Sequence, residues 1–204
     1  TSIPSCSLWL DADDASSITL NGSTVSQWNN KANHLTTGLF NYVQSNSSYQ
    51  PTYVTGALNS RALVRFDGSD DGMFGSGSTS VRSFVSSGET DVTVFYVFSG
   101  SGGTQNNMEL LNWGLESDGT GANGQTTFAF YYNSNTFYFF DWPGSGGIRS
   151  STDVLANGKQ MLSVVQEGAG SKLFVEGARD GSSTINTDNP DVYPSNQDYH
   201  YSCL

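Results

Sequence analysis

The chain has 204 residues, of which 36% are hydrophobic and 13% aromatic, a composition that excludes a disordered protein. Only 13% of the residues are charged, and 8 Lys+Arg against 19 Asp+Glu give a net charge of −11. So acidic a chain lacks the positive surface that binds phosphates, and an anionic membrane repels it. We therefore predict no nucleic-acid partner. We also predict no membrane insertion, because no apolar run reaches the length of a spanning helix.

Runs of β-branched and aromatic residues recur along the chain, separated by turns rich in Gly, Ser, Asn and Asp, and no window shows helical spacing. The runs predict strands at residues 7–10, 24–28, 62–66, 91–98, 109–113, 126–132, 136–142, 160–166 and 172–176, with shorter ones near Thr184 and at 199–203. We expect tight hairpin loops at residues 133–135 and 167–171. No linker or repeat divides the chain. The sequence thus predicts one all-β domain over residues 1–204, a two-sheet antiparallel β-sandwich.

The two cysteines, Cys6 and Cys203, lie near opposite ends of the chain. Because the termini of compact domains often lie close together, we predict a disulfide between them, with two unrelated buried thiols as the alternative. The bridge would stabilise the fold by about 4–5 kcal/mol through the unfolded state. It implies an oxidising compartment, and the Ser-, Thr-, Asn- and Gly-rich composition is typical of extracellular and virion-surface proteins. In a eukaryotic secretory route, the N-x-S triplets at Asn21 and Asn46 would accept glycans.

Two groups of acidic residues could supply carboxylates to an irregular calcium site: Asp67, Asp70 and Asp71, and Asp11, Asp13 and Asp14. The first group imitates the start of an EF-hand loop, but Ser78 stands where the loop needs its bidentate Glu, so an EF-hand is excluded. Acidic turn residues also hydrogen-bond their own backbone without any metal, and this alternative stays open for both groups. No other cofactor is predicted.

The sequence offers little support for catalysis. Glycoside hydrolysis needs two carboxyl groups across the scissile bond, and the nearest match, Glu116 and Asp118, runs into a glycine-rich loop. The two histidines, His34 and His200, have neither metal-ligand nor triad spacing. The G-x-G-x-x-G pattern at residues 119–124 precedes a predicted strand instead of a helix, so we interpret it as a loop. We predict that the protein is not an enzyme.

Aromatic residues beside glycine-rich segments are candidates for ligand binding. Apolar faces of sugars stack on aromatic rings, and acidic side chains accept hydrogen bonds from hydroxyl groups. The candidates are Trp113, Trp142, Tyr132, Tyr138 and Asp118. The alternative for each aromatic residue is a place in the core of the sandwich.

The N-terminal third carries the most specific pattern. It comprises SLWLDADDAS at 7–16, TVSQWNN at 24–30, QPTYV at 50–54, GALN at 56–59 and ALVRFDGSDD at 62–71. This succession resembles the laminin-G-like branch of the concanavalin-A-like lectin/glucanase superfamily, which includes modules of phage virions and bacterial surface proteins. LSVV at 162–165 and KLFVEG at 172–177 resemble the paired late strands of that family. The resemblance covers residues 7–72 and 158–180, whereas the middle matches only in strand rhythm.

The resemblance implies a two-sheet jelly roll that serves as a binding or adhesion module. The catalytic E-x-D-x-x-E strand of the related glucanases has no counterpart here. The final family strand is also missing, so either residues 199–203 replace it beside the first strand, or a neighbouring subunit fills the open edge.

We therefore predict a non-enzymatic extracellular or virion-surface module that recognises glycans or a protein partner through loops at the sheet edges. The alternative is a structural or decorating subunit, present in repeated copies in a virion, fibre or surface assembly. A polysaccharide-acting enzyme is the third hypothesis.

Overall fold

The computed structural model describes residues 6–32, 41–76, 92–100, 108–114, 126–133, 136–141, 146–149, 159–167, 170–180 and 201–202. Within these ranges the chain forms strands and two short 3₁₀ helices, Ala15–Ser17 and Ser47–Tyr49, and no α-helix. The strands are β1 (Ile18–Asn21), β2 (Thr24–Trp28), β3 (Asn41–Val43), β4 (Thr52–Leu58), β5 (Arg61–Arg65), β6 (Met73–Ser76), β7 (Val92–Ser99), β8 (Met108–Gly114), β9 (Thr126–Asn133), β10 (Thr136–Asp141), β11 (Gly146–Arg149), β12 (Lys159–Glu167), β13 (Gly170–Val175), β14 (Ala178–Arg179) and β15 (Tyr201–Ser202).

The chain divides into two compact units, Thr1–Phe84 with Asp198–Leu204, and Val85–Gln197. In the first unit, seven antiparallel strands form one sheet in the order β15-β6-β3-β2-β4-β5, and β1 pairs with β2. Its hairpins follow from the turn residues. Gly22, with φ at +67°, fits the first position of the two-residue turn between β1 and β2, and Asn59 and Ser60 both have positive φ between β4 and β5.

The core of the first unit is built from side chains that the sheet brings together from distant segments. Val25, Trp28, Tyr42 and Met73 are its buried members. Partly buried apolar side chains from the N-terminal segment and from β4 and β5 pack around them. Full burial of one such side chain contributes about 1.5–3 kcal/mol, so the cluster stabilises the pairing of the strands that supply it.

The second unit contains two antiparallel sheets, β14-β13-β12-β7 and β11-β10-β9-β8. Alternation along β12 and β13 places Leu162, Val164, Leu173 and Val175 on one buried face. The turn after β13 has positive φ at Glu176 and Gly177. Glu176 is held there because its backbone N–H donates to Met161 O (2.8 Å) and its carboxylate accepts from Met161 N–H.

The structure confirms an all-β chain with antiparallel pairing. The predicted strands at 24–28, 62–66, 91–98, 109–113, 126–132, 136–142, 160–166 and 172–176 correspond to β2, β5, β7, β8, β9, β10, β12 and β13 within one or two residues at most ends. The expected hairpins are present, since Asn133 pairs with Thr136 and Glu167 with Gly170, although their turn residues lie outside the described ranges. The described strands form three sheets, and their assembly as a two-sheet jelly roll remains a prediction, as does the single domain.

One strand prediction is wrong, the C-terminal one is confirmed in part by β15, and a third lies outside the described ranges. Residues 7–10 are not a strand, because Trp9 N–H donates to the Asn30 side chain (2.9 Å) and Trp9 O accepts from Lys31 N–H (2.9 Å), instead of entering a regular ladder. At the C-terminal end, β15 pairs with β6 and not with the N-terminal segment. The strand predicted near Thr184 lies outside the residues that the structure describes.

Cys6 carries a free thiol in the structure. Its S–H donates to Leu8 O at 3.4 Å, and burial raises the pKa of the thiol. The predicted Cys6–Cys203 disulfide is therefore not formed here, and Cys203 itself lies outside the described residues.

Candidate functional site

The strongest candidate site is the acidic loop, defined here as Asp67, Asp70 and Asp71, which follows β5. Carboxylate oxygens of the three residues lie within 4.8 Å of one another. The loop is ordered by its own backbone, because the Asp67 carboxylate accepts from the N–H groups of Ser69 (2.8 Å) and Asp70 (3.3 Å). The Asx-turn expected for acidic turn residues is thus present, and it also brings the three carboxylates together.

Two carboxyl groups of the acidic loop have shifted pKa values, in opposite directions. Burial, and then the charges of Asp67 and Asp70, raise the pKa of Asp71, although a backbone hydrogen bond opposes them. Hydrogen bonds from backbone N–H groups, led by Ser69, lower the pKa of Asp67. Among the described residues, no Lys or Arg forms an ion pair with any of the three. Calcium prefers six to eight oxygen ligands, so the loop offers part of a suitable ligand set.

The acidic loop is fixed to the first unit through Gly72. Gly72 N–H donates to Tyr49 O (3.0 Å), and the Gln44 side chain donates to Gly72 O (2.7 Å). Gln44 O in turn accepts from the Gln50 side chain (2.6 Å). Both glutamines are buried, each 5% exposed. The position of the loop therefore depends on hydrogen bonds that water cannot replace without opening the unit.

Tyr49 is joined to the end of the acidic loop through its backbone oxygen, and sequence analysis did not select it. It ends the second 3₁₀ helix, whose N-cap Asn46 accepts a hydrogen bond from Ser48 N–H (3.0 Å). The Tyr49 side chain is 42% exposed. Exposed aromatic rings can stack on apolar sugar faces, and the Tyr49 backbone oxygen is bonded to Gly72, the residue that follows Asp71. The only signal in the sequence was an isolated aromatic residue within a polar segment.

The second acidic group is neutralised by cations of the chain itself. Lys31 Nζ lies 2.9 Å from Asp11 and 2.7 Å from Asp14, and Arg61 lies 2.6 Å from Asp13. The Lys31 ammonium is also 4.8 Å from the centre of the Trp9 ring, a cation–π contact. The interpretation of this group as a calcium site is therefore not supported, because its carboxylates already have partners.

Replacing Lys31 with methionine should raise the pKa of Asp14. Hydrogen bonds from Lys31, and then from Ser16, lower this pKa from 3.8 to about 2. A depressed carboxyl pKa contributes stability at pH above 3.8, and that contribution is lost as the pH falls towards 2. In the variant the pKa of folded Asp14 is higher, so the pH range over which this stability is lost begins at a higher acidic limit. NMR titration of the carboxyl carbons measures the change, with Asp67 as the internal control. An unchanged Asp14 pKa would contradict the ion pair.

The structure does not gather the aromatic candidates into one site. Trp113 pairs with Phe128 on β9. Phe128 and Tyr132 share a face of β9 but are four residues apart, a separation of roughly 13 Å along the strand. Tyr132 pairs with Phe137, whereas Tyr138 pairs with Tyr131, so positions 132 and 138 fall on opposite faces of the sheet. Trp142 and Asp118 lie outside the described residues. A single aromatic platform made of Trp113, Tyr132 and Tyr138 is thus incompatible with the register.

The two predicted glycosylation positions lie on the surface of the first unit. Asn21 ends β1 and is exposed, and its side chain donates to Gln50 Oε1 (3.2 Å). Asn46 is also exposed. Glycosylation at either position remains a prediction.

Comparison with known proteins found no relative: no family model, no curated protein and no solved structure matches this chain. In the part of the chain that the structure describes, no helix is long and apolar enough to cross a membrane.

Proposed function

We propose that the chain is a non-enzymatic binding module of laminin-G-like jelly-roll fold, acting outside the cell or on a virion surface. It recognises glycans or an acidic protein surface through the acidic loop, with calcium held by Asp67, Asp70 and Asp71. The observation that carries the proposal is the convergence of three carboxylates within 4.8 Å. The same unit neutralises its other acidic group with Lys31 and Arg61 but leaves this one without such a partner among the described residues.

The chemistry of recognition follows from calcium coordination. Three carboxylates supply only part of the six to eight oxygens that calcium takes, so the outer positions are open to ligand oxygens. Asp67 and Asp70 are exposed, which gives a ligand access from solvent. A pair of sugar hydroxyls, or a carboxylate of a protein, could complete the coordination. The exposed Tyr49 ring would then cover an apolar sugar face.

Calcium binding is the first test, by isothermal titration of the full chain. Asp70→Asn is the most informative variant, because Asp70 enters the loop through its backbone N–H, which donates to the Asp67 carboxylate, so its own carboxylate can be removed without disturbing that bond. We expect calcium affinity on the order of tenfold weaker or worse, since a charged ligand is lost. Asp13→Asn removes the same charge elsewhere and should leave calcium affinity unchanged. Protons compete with calcium for Asp71, whose pKa is raised by burial, so affinity should also fall in acid.

Ligand binding is the second test, by a glycan array with calcium and then with a chelator. We expect binding to one sugar class that the chelator removes. Tyr49→Ala should abolish this binding while leaving calcium affinity intact. Equal calcium affinity for Asp70→Asn and the unmodified chain would refute the proposed metal site, and a blank array would refute glycan recognition.

A second candidate function is a structural or decorating subunit whose role is assembly. One observation favours it: Phe95 and Val97 on β7 are 69% and 66% exposed. Large apolar side chains this accessible on one strand are typical of a surface that another chain covers.

A further inference from the structure

The turn between β1 and β2 joins an asparagine directly to a glycine, Asn21-Gly22. Both residues are exposed. The Gly22 backbone N–H donates to no acceptor in the part of the chain that the structure describes. A Cβ placed on Gly22 would meet no atom within 4 Å, so the space around the turn is open. The backbone nitrogen of Gly22 is therefore accessible to solvent and can lose its proton there.

The side-chain amide of Asn21 is held weakly. Its Nδ2 donates to Gln50 Oε1 at 3.2 Å, the long end of the range for such a bond. The same oxygen accepts a shorter bond from Thr24 Oγ1, at 2.7 Å. A small rotation of the Asn21 side chain breaks the long bond, and Cγ of Asn21 can then approach the nitrogen of Gly22.

We propose that Asn21 is a site of spontaneous deamidation in the folded chain. The Gly22 nitrogen gives its proton to hydroxide and attacks Asn21 Cγ. The bond from Cγ to Nδ2 breaks, ammonia leaves with a proton from water, and a succinimide ring joins the two residues. Water opens the ring at either carbonyl, which yields aspartate, or isoaspartate when the chain continues through Cγ. Glycine favours the attack because it has no Cβ to hinder its nitrogen.

Deamidation removes a bond that the hairpin makes to a buried residue. A carboxylate at position 21 has no N–H to donate, and it sets a negative charge against Gln50 Oε1. Gln50 is 5% exposed, so water has little access to that oxygen. Isoaspartate also adds a methylene to the backbone, which displaces the pairing of Asn21 with Thr24. Both products therefore weaken the β1–β2 hairpin, and neither involves the acidic loop.

Peptide mapping by mass spectrometry tests the proposal on the full chain, produced without glycosylation and incubated at mildly alkaline pH. Asn46 is the internal control, because it is also exposed but precedes a serine, and its Oδ1 accepts from Ser48 N–H (3.0 Å). We expect Asn21 to convert on the order of tenfold faster, a difference of about 1.4 kcal/mol in activation free energy. Mapping separates Asn21 from the Asn-Gly pairs at 123–124 and 157–158, which lie outside the described residues. Equal rates at Asn21 and Asn46, or an intact Asn21, overturn the proposal.

Gly22→Ala should slow the conversion, because the added Cβ hinders the attacking nitrogen. Alanine is also strained at the Gly22 φ of +67°. Strain loosens the turn and would speed the reaction, so slower conversion reports on the nitrogen itself, and equal or faster conversion contradicts its role. Denaturant below the unfolding transition should leave the rate at Asn21 unchanged. A rate that rises with the unfolded fraction overturns reaction in the folded chain.

The consequence for the hairpin is tested with Asn21→Asp, which reproduces one product. We expect a lower midpoint of thermal unfolding, because the bond to Gln50 is lost. Asn46→Asp adds the same charge but can still accept from Ser48 N–H, so its midpoint should stay unchanged. Equal midpoints in the two variants would show that the Gln50 bond does not stabilise the hairpin.

Discussion

Replacing Leu162 with alanine is expected to lower the free energy of unfolding by about 2–5 kcal/mol, the range for truncating a buried leucine. Leu162 is fully buried in β12, at 0% exposure. It lies in a central strand, opposite Val175 on β13 and Tyr96 on β7. Neighbours on two sides hold the backbone in place, so the cavity left by the missing methyl groups cannot collapse.

Denaturant unfolding followed by circular dichroism measures this change. Leu20→Ala is the matched control, because the same atoms are removed from a side chain that is 45% exposed, and we expect an effect within about 0.5 kcal/mol. The experiment also tests the single domain. If residues 1–204 unfold as one cooperative domain, Leu162→Ala shifts the whole transition. A second transition that stays in place would show that the two units unfold separately.

Replacing Gln44 with leucine should destabilise the chain by about 1–3 kcal/mol and also weaken calcium binding. The variant keeps the size of the side chain but removes its hydrogen bond to Gly72 O (2.7 Å), leaving a carbonyl of a buried residue without its donor. The hydrogen bond from Asn46 N–H to Gln44 Oε1 (3.0 Å) is lost as well, but Asn46 is exposed, so its N–H can donate to water instead. Because Gly72 fixes the end of the acidic loop, Asp71 loses its defined position.

The same substitution at Gln27 provides the control. Gln27 is half-buried and donates to the half-buried Asn29 (2.6 Å), so water can replace its bond. We expect Gln27→Leu to change stability by less than about 1 kcal/mol and to leave calcium affinity intact. Thermal unfolding and calcium titration of both variants measure the two effects. Equal calcium affinity in Gln44→Leu would show that the loop holds its geometry without the glutamine.

The sequence predicted those parts of the fold that short-range patterns determine. The aromatic runs of β9 and β10 and the apolar runs of β12 and β13 are longer than their turns, so their pairing could be predicted. By contrast, β3 has three residues and β6 contains a glycine, and neither shows alternation strong enough to identify. They become strands because each pairs with the other and because Tyr42 and Met73 reach the core.

For the candidate site too, sequence analysis found the features that depend on local spacing and missed those that depend on distant segments. The spacing of Asp67, Asp70 and Asp71 within one turn predicted their convergence, since neighbouring turn residues have few ways to separate. Gln44, Tyr49 and the hydrogen bonds to Gly72 join segments 23 to 28 positions apart, and no local pattern encodes them. Strand register decides the face of each residue and could not be derived from composition, so the sequence did not reveal that positions 132 and 138 fall on opposite faces of the sheet.

The pairing of β15 with β6 has a consequence for synthesis of the chain. Tyr201 pairs with Phe74, and 201 − 74 = 127 positions separate them. At elongation rates of about 5–20 residues per second, roughly 6–25 s pass between the synthesis of the two partners. Throughout that interval β6 has only β3 beside it among the described strands. A nascent chain therefore leaves this border of the sheet without its last strand for that interval, accessible to chaperones and to other unfinished chains.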